Sequence, residues 1–256
     1  MDMSKQVADF TLVAKLDFGR SMLLRLRSEH PLPDIAAGQF AQVRVDGSPT
    51  TYLRRPISIH DVDYGQNEVA LMVQRVGEGT RHLAATVVGD TVNMVLPLGN
   101  GFTLPKSGEK VLLVGGGIGI APLYYFAKIL NDKGIKPTLL LGGKSEADLL
   151  RLSDYQRLGD TMLTTEDGSL GEPGFVSQHS VWGKQDFDKV YACGSKPMMK
   201  AVAAIAREKD VWCEVSLENL MACGLGACLC CVEDTTEGHV CVCKEGPVFN
   251  TRRLKW

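Results

Sequence analysis

Between residues 10 and 99 the apolar residues come in short runs, several of them alternating with polar ones. They are FTLVAKLD (10–17), SMLLRLRS (21–28), FAQVRVDG (40–47), RPISIHDVD (55–63), EVALMVQRV (68–76) and DTVNMVLPLG (90–99). Gly, Pro, Asp and Asn separate the runs. Alternation with a period of two marks strands with one buried face, and evenly spaced short strands predict a closed or nearly closed antiparallel barrel.

After Pro105 the pattern changes. KVLLVGG (110–116) is a continuous apolar run of the kind buried on both faces of a sheet. APLYYFAKILNDKG (121–134) then carries helical periodicity and a glycine stop. KPTLLLGG (136–143) predicts a second buried strand, and SEADLLRLSDY (145–155) a second helix. DTMLTTEDG, GFVSQHSVWG, KVYACG and KPMMKAVAAIAREKD continue the alternation, and WCEVSLE closes it. Strand–helix alternation predicts a parallel, doubly wound sheet. From about Ser216 the periodicity fades and cysteines begin. The expected boundaries are 1–105 for the barrel, 106–215 for the α/β domain and 216–256 for a small C-terminal segment. No internal repeat or low-complexity linker interrupts them.

Composition narrows the function classes. The chain has 256 residues, a net charge of −2, and 28 basic residues that form no stripe or tail, which argues against nucleic acid as the main partner. The N-terminus lacks an apolar run behind a basic start, so no secretory signal is expected. The apolar stretch 111–127 is short for a membrane span and holds four glycines and a proline, so no span is expected either. A cytoplasmic location is expected. Thiols stay reduced there, and clustered cysteines then point to metal or redox chemistry.

Two motifs in the barrel suit a pyrophosphate. Arg55 followed by Ser58 offers a guanidinium fork beside a hydroxyl. Gly77, Gly79 and Thr80 offer backbone N–H groups and a second hydroxyl. Either motif alone more often marks a surface arginine in a barrel or a glycine turn between elements. In the α/β domain, Gly115, Gly116, Gly117 and Gly119, with Pro122, sit where a buried strand gives way to a helix. Glycines there let backbone amides approach a diphosphate, although the run is not a clean G-x-G-x-x-G. Cys193 and Gly194 mark a second strand end, where ligands of such sheets bind. Cys193 alone is more often a small buried hydrophobe than a catalytic group.

Six of the eight cysteines lie between 223 and 243. Cys223, Cys228 and Cys231 are spaced C-x4-C-x2-C, and Cys243 follows after eleven residues. That is the plant-type arrangement for a [2Fe–2S] cluster. Gly224 and Gly226 keep the loop open and leave amides available to sulfur. Structural zinc competes, but zinc sites usually pair two C-x2–4-C knuckles. Cys230 does not give the x2 gap. Cys241 and Cys243, two apart on an expected strand, share a face, and alternation cannot choose between them.

Taken in order, Arg55-Pro56-Ile57-Ser58, Gly77-x-x-Thr80, Gly115–Pro122 and Cys193-Gly194 resemble the ferredoxin–NADP reductase superfamily, an FAD barrel followed by a nicotinamide domain. Ile57 stands where that superfamily usually has Tyr, and Ser195 where many members have Pro or Gly. CGLGAC, CC, CKEGPVF and TEDGSLGEPGFV (165–176) resemble the electron-transfer subunits of type B dihydroorotate dehydrogenases. That resemblance implies Cys243 as fourth ligand. It implies FAD at Arg55, Pro56, Ile57, Ser58, Val73, Gln74, Arg75, Gly79 and Thr80. It implies NAD at Gly115, Gly116, Gly117, Gly119, Pro122, Cys193 and Gly194, with Cys193 near the nicotinamide as the candidate catalytic group. The implied activity is transfer of electrons from the FMN of a dihydroorotate-oxidising partner, through [2Fe–2S] and FAD, to NAD⁺ in pyrimidine biosynthesis. The implied assembly is a heterotetramer of two of each subunit. A flavin-bearing (β/α)₈ barrel takes roughly 250 residues, so the chain has no room for that partner. A reductase subunit of a hydrogenase or glutamate synthase complex would share these motifs. After the second parallel strand, Lys144, Ser145 and Glu146 leave NAD against NADP open on local chemistry; the resemblance implies NAD.

Overall fold

In the computed structural model, which describes residues 5–256, six strands close into the expected antiparallel barrel. They are β1 (Gln6–Asp17), β2 (Ser21–Ser28), β3 (Phe40–Val43), β4 (Arg55–Asp63), β5 (Glu68–Gln74) and β6 (Thr91–Leu98), with helix α1 (Glu78–Ala85) between the last two. The order around the barrel is β1-β2-β5-β4-β3-β6, and β6 pairs back onto β1. Alternation is visible in β1, where buried Phe10 and Leu12 flank exposed Thr11 and follow exposed Asp9. In β2 and β5 nearly every residue is buried. Glu68, buried in β5, is met there by Arg27 at 2.6 Å and Arg25 at 3.5 Å, the pairing a buried carboxylate requires.

The α/β part runs β7 (Val111–Gly116), a 3₁₀ turn (Gly117–Ile120), α2 (Ala121–Asp132), β8 (Thr138–Gly143), α3 (Leu152–Gln156), β9 (Asp160–Thr165), β10 (Glu172–Pro173), α4 (Val181–Lys184), β11 (Lys189–Cys193), α5 (Lys196–Glu208) and β12 (Trp212–Ser216). The hairpin β13 (Val232–Thr235) and β14 (Gly238–Cys241), the single turn α6 (Val242–Glu245) and β15 (Val248–Asn250) follow. The sheet order is β10-β9-β8-β7-β11-β12-β15. It is parallel except for the edge strand β15, which pairs antiparallel on β12. Chain order reverses between β7 and β11, and at such a switch point a crevice opens beyond the strand ends. Phe102, Phe126 and Tyr191 form a buried aromatic cluster, with centroids 4.8 to 5.7 Å apart.

One expected helix is interrupted. Residues 145–155 form a 3₁₀ turn at Glu146–Asp148 and then α3, because Arg151 adopts a left-handed φ of 56°. Its guanidinium lies over the Tyr124 ring at 4.9 Å and on Asp154 at 2.7 Å. Those contacts offset a backbone conformation that costs a non-glycine residue about 1–2 kcal/mol. No helix among the described residues is long and apolar enough to cross a membrane.

The molecule divides into two compact units. One takes in the chain as far as Gly101 together with Glu218–Glu233 and His239–Pro247; the other holds Phe102–Leu217, Asp234–Gly238 and Val248–Trp256. The residues after 216 are thus shared out: the cysteine-bearing stretches pack with the barrel, and the final strand with the parallel sheet.

Candidate functional site

In the barrel unit, β4 carries Arg55, Pro56, Ile57 and Ser58, all half-buried. Its neighbour β3 sets Val43 opposite Arg55, Gln42 opposite Pro56, Ala41 opposite Ile57 and Phe40 opposite Ser58. Arg55 and Gly79 are brought together: a Cβ on Gly79 would fall 2.9 Å from Arg55 Nε and 3.0 Å from Thr51 Cγ2. Only glycine lets the first turn of α1 come this close to the guanidinium. No carboxylate pairs with Arg55 among the described residues. Its neighbour Arg54 is committed to Asn93 Oδ1 and to the carbonyls of Asn93 and Gln42.

The Thr80 hydroxyl, expected beside an anion, is engaged as a cap. It accepts from the Val76 and Gly77 amides at 3.0 and 3.1 Å and donates to the Gly77 carbonyl. What remains for an anion is the first-turn amides of Glu78, Gly79 and Thr80, which have no intrahelical acceptor; the first such bond is Arg81 N to Gly77 O. Val73 is buried in β5, and Gln74 ends that strand. Arg75 is paired with Asp17, donating to Oδ1 at 3.0 Å, and holds that carboxyl down at about 2.

In the second unit the carboxyl ends of the parallel strands are level. Gly115 of β7 lies opposite Cys193 of β11, Cys193 opposite Ser216 of β12, and Gly116 opposite Gly142 of β8. The glycine turn after β7 and the turn after β11 interlock. A Cβ on Gly119 would sit 2.4 Å from the Cys193 carbonyl oxygen and 2.6 Å from Gly194 Cα; one on Gly116 would sit 2.3 Å from Met198 Sδ. Gly117 has a φ of +55°, the left-handed conformation that glycine adopts freely. Pro122 lies in the first turn of α2. The buried Tyr155 hydroxyl donates to the Ile120 carbonyl at 2.8 Å and fixes that turn from below. Ser195 caps α5, accepting from the Met198 amide. The Cys193 thiol is fully buried. Past β8, Asp148 accepts from the amides of Lys144 and Ser145 at 3.0 and 3.3 Å, while Lys144 is exposed. Asp148, not Glu146, is therefore the carboxylate that shapes this loop.

The six cysteines between 223 and 243 all belong to the barrel unit, and among the described residues no three of them close on a single point where one metal ion would sit. The expected returning strand ends at Cys241, and the chain turns into α6, so Cys241 and Cys243 do not share a strand face. Cys243 and Cys231 are buried, Cys223 and Cys241 half-buried, Cys228 and Cys230 exposed. Gly226 N donates to Cys243 Sγ at 3.1 Å, Cys243 N to Cys231 Sγ at 3.4 Å, and Leu225 N to Cys223 Sγ at 3.3 Å. The Leu225 amide, with those of Cys228 and Ala227, lowers the Cys223 thiol to about 6, while burial raises that of Cys243. Cys241 Sγ points to the Gly226 carbonyl at 3.8 Å. Cys230 hydrogen-bonds to none of these groups.

The loop is held on the barrel by residues the sequence did not single out. Asn100 donates from Nδ2 to the carbonyls of Lys244 and Glu245 at 3.2 and 3.0 Å, and from its amide to Gly246 O at 2.6 Å. A Cβ on Gly99 would meet Gly246 O and Pro247 Cδ at 2.5 Å. Gly224 has a φ of +71°, and a Cβ there would fall 2.7 Å from Gln42 Cγ and 3.2 Å from Leu98 Cδ1. An all-sulfur donor set, backbone amides collected on sulfur and two glycines keeping the loop open fit an iron–sulfur cluster.

Comparison with known proteins agrees with each half. Residues 218–255 match the family model described as the iron-sulfur cluster binding domain of dihydroorotate dehydrogenase B, and residues 113–204 match the oxidoreductase NAD-binding domain. A protein of Shouchella clausii (strain KSM-K16), named dihydroorotate dehydrogenase B (NAD(+)), electron transfer subunit, is 42% identical over 254 residues, covering 96% of this chain and 97% of that one. Its namesake in Bacillus caldolyticus is 38% identical over 248 residues, covering 95% and 94%. Among solved structures, that of an NADH-dependent reduced ferredoxin–NADP oxidoreductase superposes with a TM-score of 0.87 at 29% identity, covering 96% of this chain and 90% of that chain. The cytochrome b5 reductase domain of Ulva prolifera nitrate reductase shares the fold, with a TM-score of 0.67 at 20% identity, over 80% of this chain and 94% of the other.

Proposed function

Because the chain belongs to the family of dihydroorotate dehydrogenase B electron-transfer subunits, we propose that it carries electrons from the FMN of a dihydroorotate-oxidising partner subunit, by way of a [2Fe–2S] cluster and FAD, to NAD⁺ in pyrimidine biosynthesis. The observation that carries this reading is the thiol loop, with amides of Leu225, Gly226 and Cys243 on sulfur, tied by Asn100 to the same unit that presents Arg55. FAD, when bound, supplies the exchange between a hydride at nicotinamide and single electrons at a cluster.

The chain's own residues hold and orient. Cys223, Cys228, Cys231 and Cys243 are the proposed iron ligands; the burial of Cys243 against the half-exposed Cys241 supports that choice. Arg55, with the Glu78 and Gly79 amides, takes the FAD pyrophosphate, while Pro56, Ile57 and Ser58, and Val73, Gln74 and Arg75 with Thr80 behind them, form the wall that receives the rest. Thr80 serves by capping α1. Gly115, Gly116, Gly117 and Gly119, with Pro122, open the turn for the NAD diphosphate, and Cys193 and Gly194 close the crevice near the nicotinamide. Of the expected divisions, 1–105 for FAD, 106–215 for NAD and 216–256 for the cluster, the last is proposed to serve through Glu218–Glu233 and His239–Pro247, which pack with the barrel. The compartment proposed is the cytoplasm, where thiols stay available as ligands.

The partner belongs on the cluster loop. Leu220, Leu225 and Leu229 are 85%, 49% and 65% exposed around it, an apolar rim beside the one-electron carrier that suits a protein interface. The assembly proposed is two of each subunit. The test is reconstitution with the FMN-bearing partner. Dihydroorotate-dependent reduction of NAD⁺ should require both chains. Leu220→Glu with Leu229→Glu should abolish partner binding in sedimentation while leaving flavin and iron content unchanged. A chain that reduces NAD⁺ only with a different partner would overturn the assignment.

A further inference from the structure

Gln42 lies on β3 and is fully buried, and neither end of its side-chain amide has a hydrogen-bond partner. Among the described residues it is the one side chain with both polar atoms buried and unpaired. A buried carboxamide that has given up water and gained nothing carries its full desolvation penalty. Such a residue in a tightly paired barrel strand calls for a ligand.

Its surroundings say which one. Gln42 stands opposite Pro56, inside the Arg55–Ser58 strand. Its other side is the cysteine loop: a Cβ on Gly224 would lie 2.7 Å from Gln42 Cγ and 3.0 Å from Nε2. Gly224 directly follows Cys223, so the amide lies over the first turn of the thiol loop. Gly224 is glycine twice over, for its φ of +71° and for the space that Gln42 fills. Thiolate and sulfide sulfurs only accept hydrogen bonds, so the amide end that satisfies itself there is the NH₂.

We propose that Gln42 is a positioning residue for the electron path, its side-chain NH₂ donating to sulfur of the cluster that the Cys223–Cys243 loop binds and raising that cluster's reduction potential. Donation to sulfur stabilises the more negative, reduced state, the effect by which outer hydrogen bonds tune such centres. The inference rests on the cluster assignment above. It adds that the barrel, through one side chain of β3, tunes what the loop holds.

The test is the midpoint potential of the cluster in the full FAD-loaded protein, followed by electron paramagnetic resonance during redox titration, in Gln42→Met and Gln42→Glu. Methionine keeps the length and removes the donors; glutamate keeps the oxygen and removes the NH₂. Both variants should keep their iron and flavin. Gln42→Met should lower the potential so that the ratio of reduced to oxidised cluster at fixed poise falls about tenfold, about 59 mV for one electron, with the flavin potential unmoved. Glutamine labelled with ¹⁵N at the side-chain amide should give a hyperfine coupling to the reduced cluster that is absent in Gln42→Glu. This second measurement stands even where Gln42→Met does not fold. An unchanged cluster potential, no ¹⁵N coupling, or a shift confined to the flavin overturns the proposal. Loss of iron and sulfide from the unmodified protein would instead refute the cluster assignment on which it rests.

Discussion

Gly119→Ala is a one-carbon change with a large expected effect. The added Cβ would stand 2.4 Å from the Cys193 carbonyl oxygen, 2.6 Å from its carbon and 2.6 Å from Gly194 Cα. Ordinary contact between such atoms is about 3.5–4.0 Å, so the two turns must part by about 1 Å. All three obstructing atoms are backbone, on a strand end buried in the sheet, so no rotamer change relieves them. Overpacking of this kind costs about 1–3 kcal/mol. It falls on the switch point of the sheet, where chain order reverses between the paired strands β7 and β11, and a displacement of about 1 Å at a reacting centre can cost up to about 10²-fold in rate. The assay is NADH oxidation with an artificial acceptor, reporting kcat/KM, with urea unfolding for stability. Gly183→Ala is the control: its Cβ would meet nothing within 4 Å, and it should be neutral in both assays. Wild-type kcat/KM together with an unchanged urea midpoint in Gly119→Ala would refute the close approach of these turns as the device that shapes the nucleotide site.

Single Ser replacements of Cys223, Cys228, Cys231 or Cys243 should lose iron and sulfide, whereas Cys230→Ser and Cys241→Ser should keep both; bleaching by Cys241→Ser but not Cys243→Ser would reverse the choice of fourth ligand. Arg55→Ala removes a charge-assisted contact worth about 1.5–3 kcal/mol, so FAD affinity should fall about tenfold or more, and flavin retained unchanged through dialysis would count against it. NADH should exceed NADPH as donor by about tenfold in kcat/KM, about 1.4 kcal/mol; a preference for NADPH that Lys144→Ala erases would assign the exposed Lys144 to a 2′-phosphate. The Tyr191 hydroxyl donates to Thr103 O at 2.7 Å, and burial raises its pKa above the ordinary value. A raised folded pKa gives stability that is complete below the unfolded pKa of about 10 and is lost as pH climbs past it. Tyr191→Phe should therefore be less stable than wild type at pH 8, and the gap in urea midpoint should close above about pH 10; a gap constant with pH would show that the hydroxyl is not protected by burial.

The elements with their own periodicity were legible in the sequence. The six barrel strands follow from short apolar runs, several of them alternating, bounded by turn residues, signals that act over a few residues and need no distant partner. The parallel strands follow from unbroken apolar runs, because burial on both faces leaves no polar position. The C-x4-C-x2-C spacing was legible for the same local reason: one short loop must wrap one small group. Where tertiary contacts decide, the sequence was silent or misleading. The helix expected at 145–155 breaks at Arg151 because contacts with Tyr124 and Asp154 hold a conformation its local propensity disfavours. Thr80 looked like an anion ligand until the fold spent its hydroxyl on the α1 cap. Alternation put Cys241 and Cys243 on one face, but the strand ends between them and burial separates the two thiols. Gln42 carried no signal at all. A glutamine in a strand looks like a polar outward residue, and only the packing of Gly224 against it, 182 positions further on, makes it a buried amide facing the thiol loop. Local periodicity reports which face of a segment is buried; which other segment covers that face is settled by contacts between residues far apart in the chain, and no window of sequence holds them.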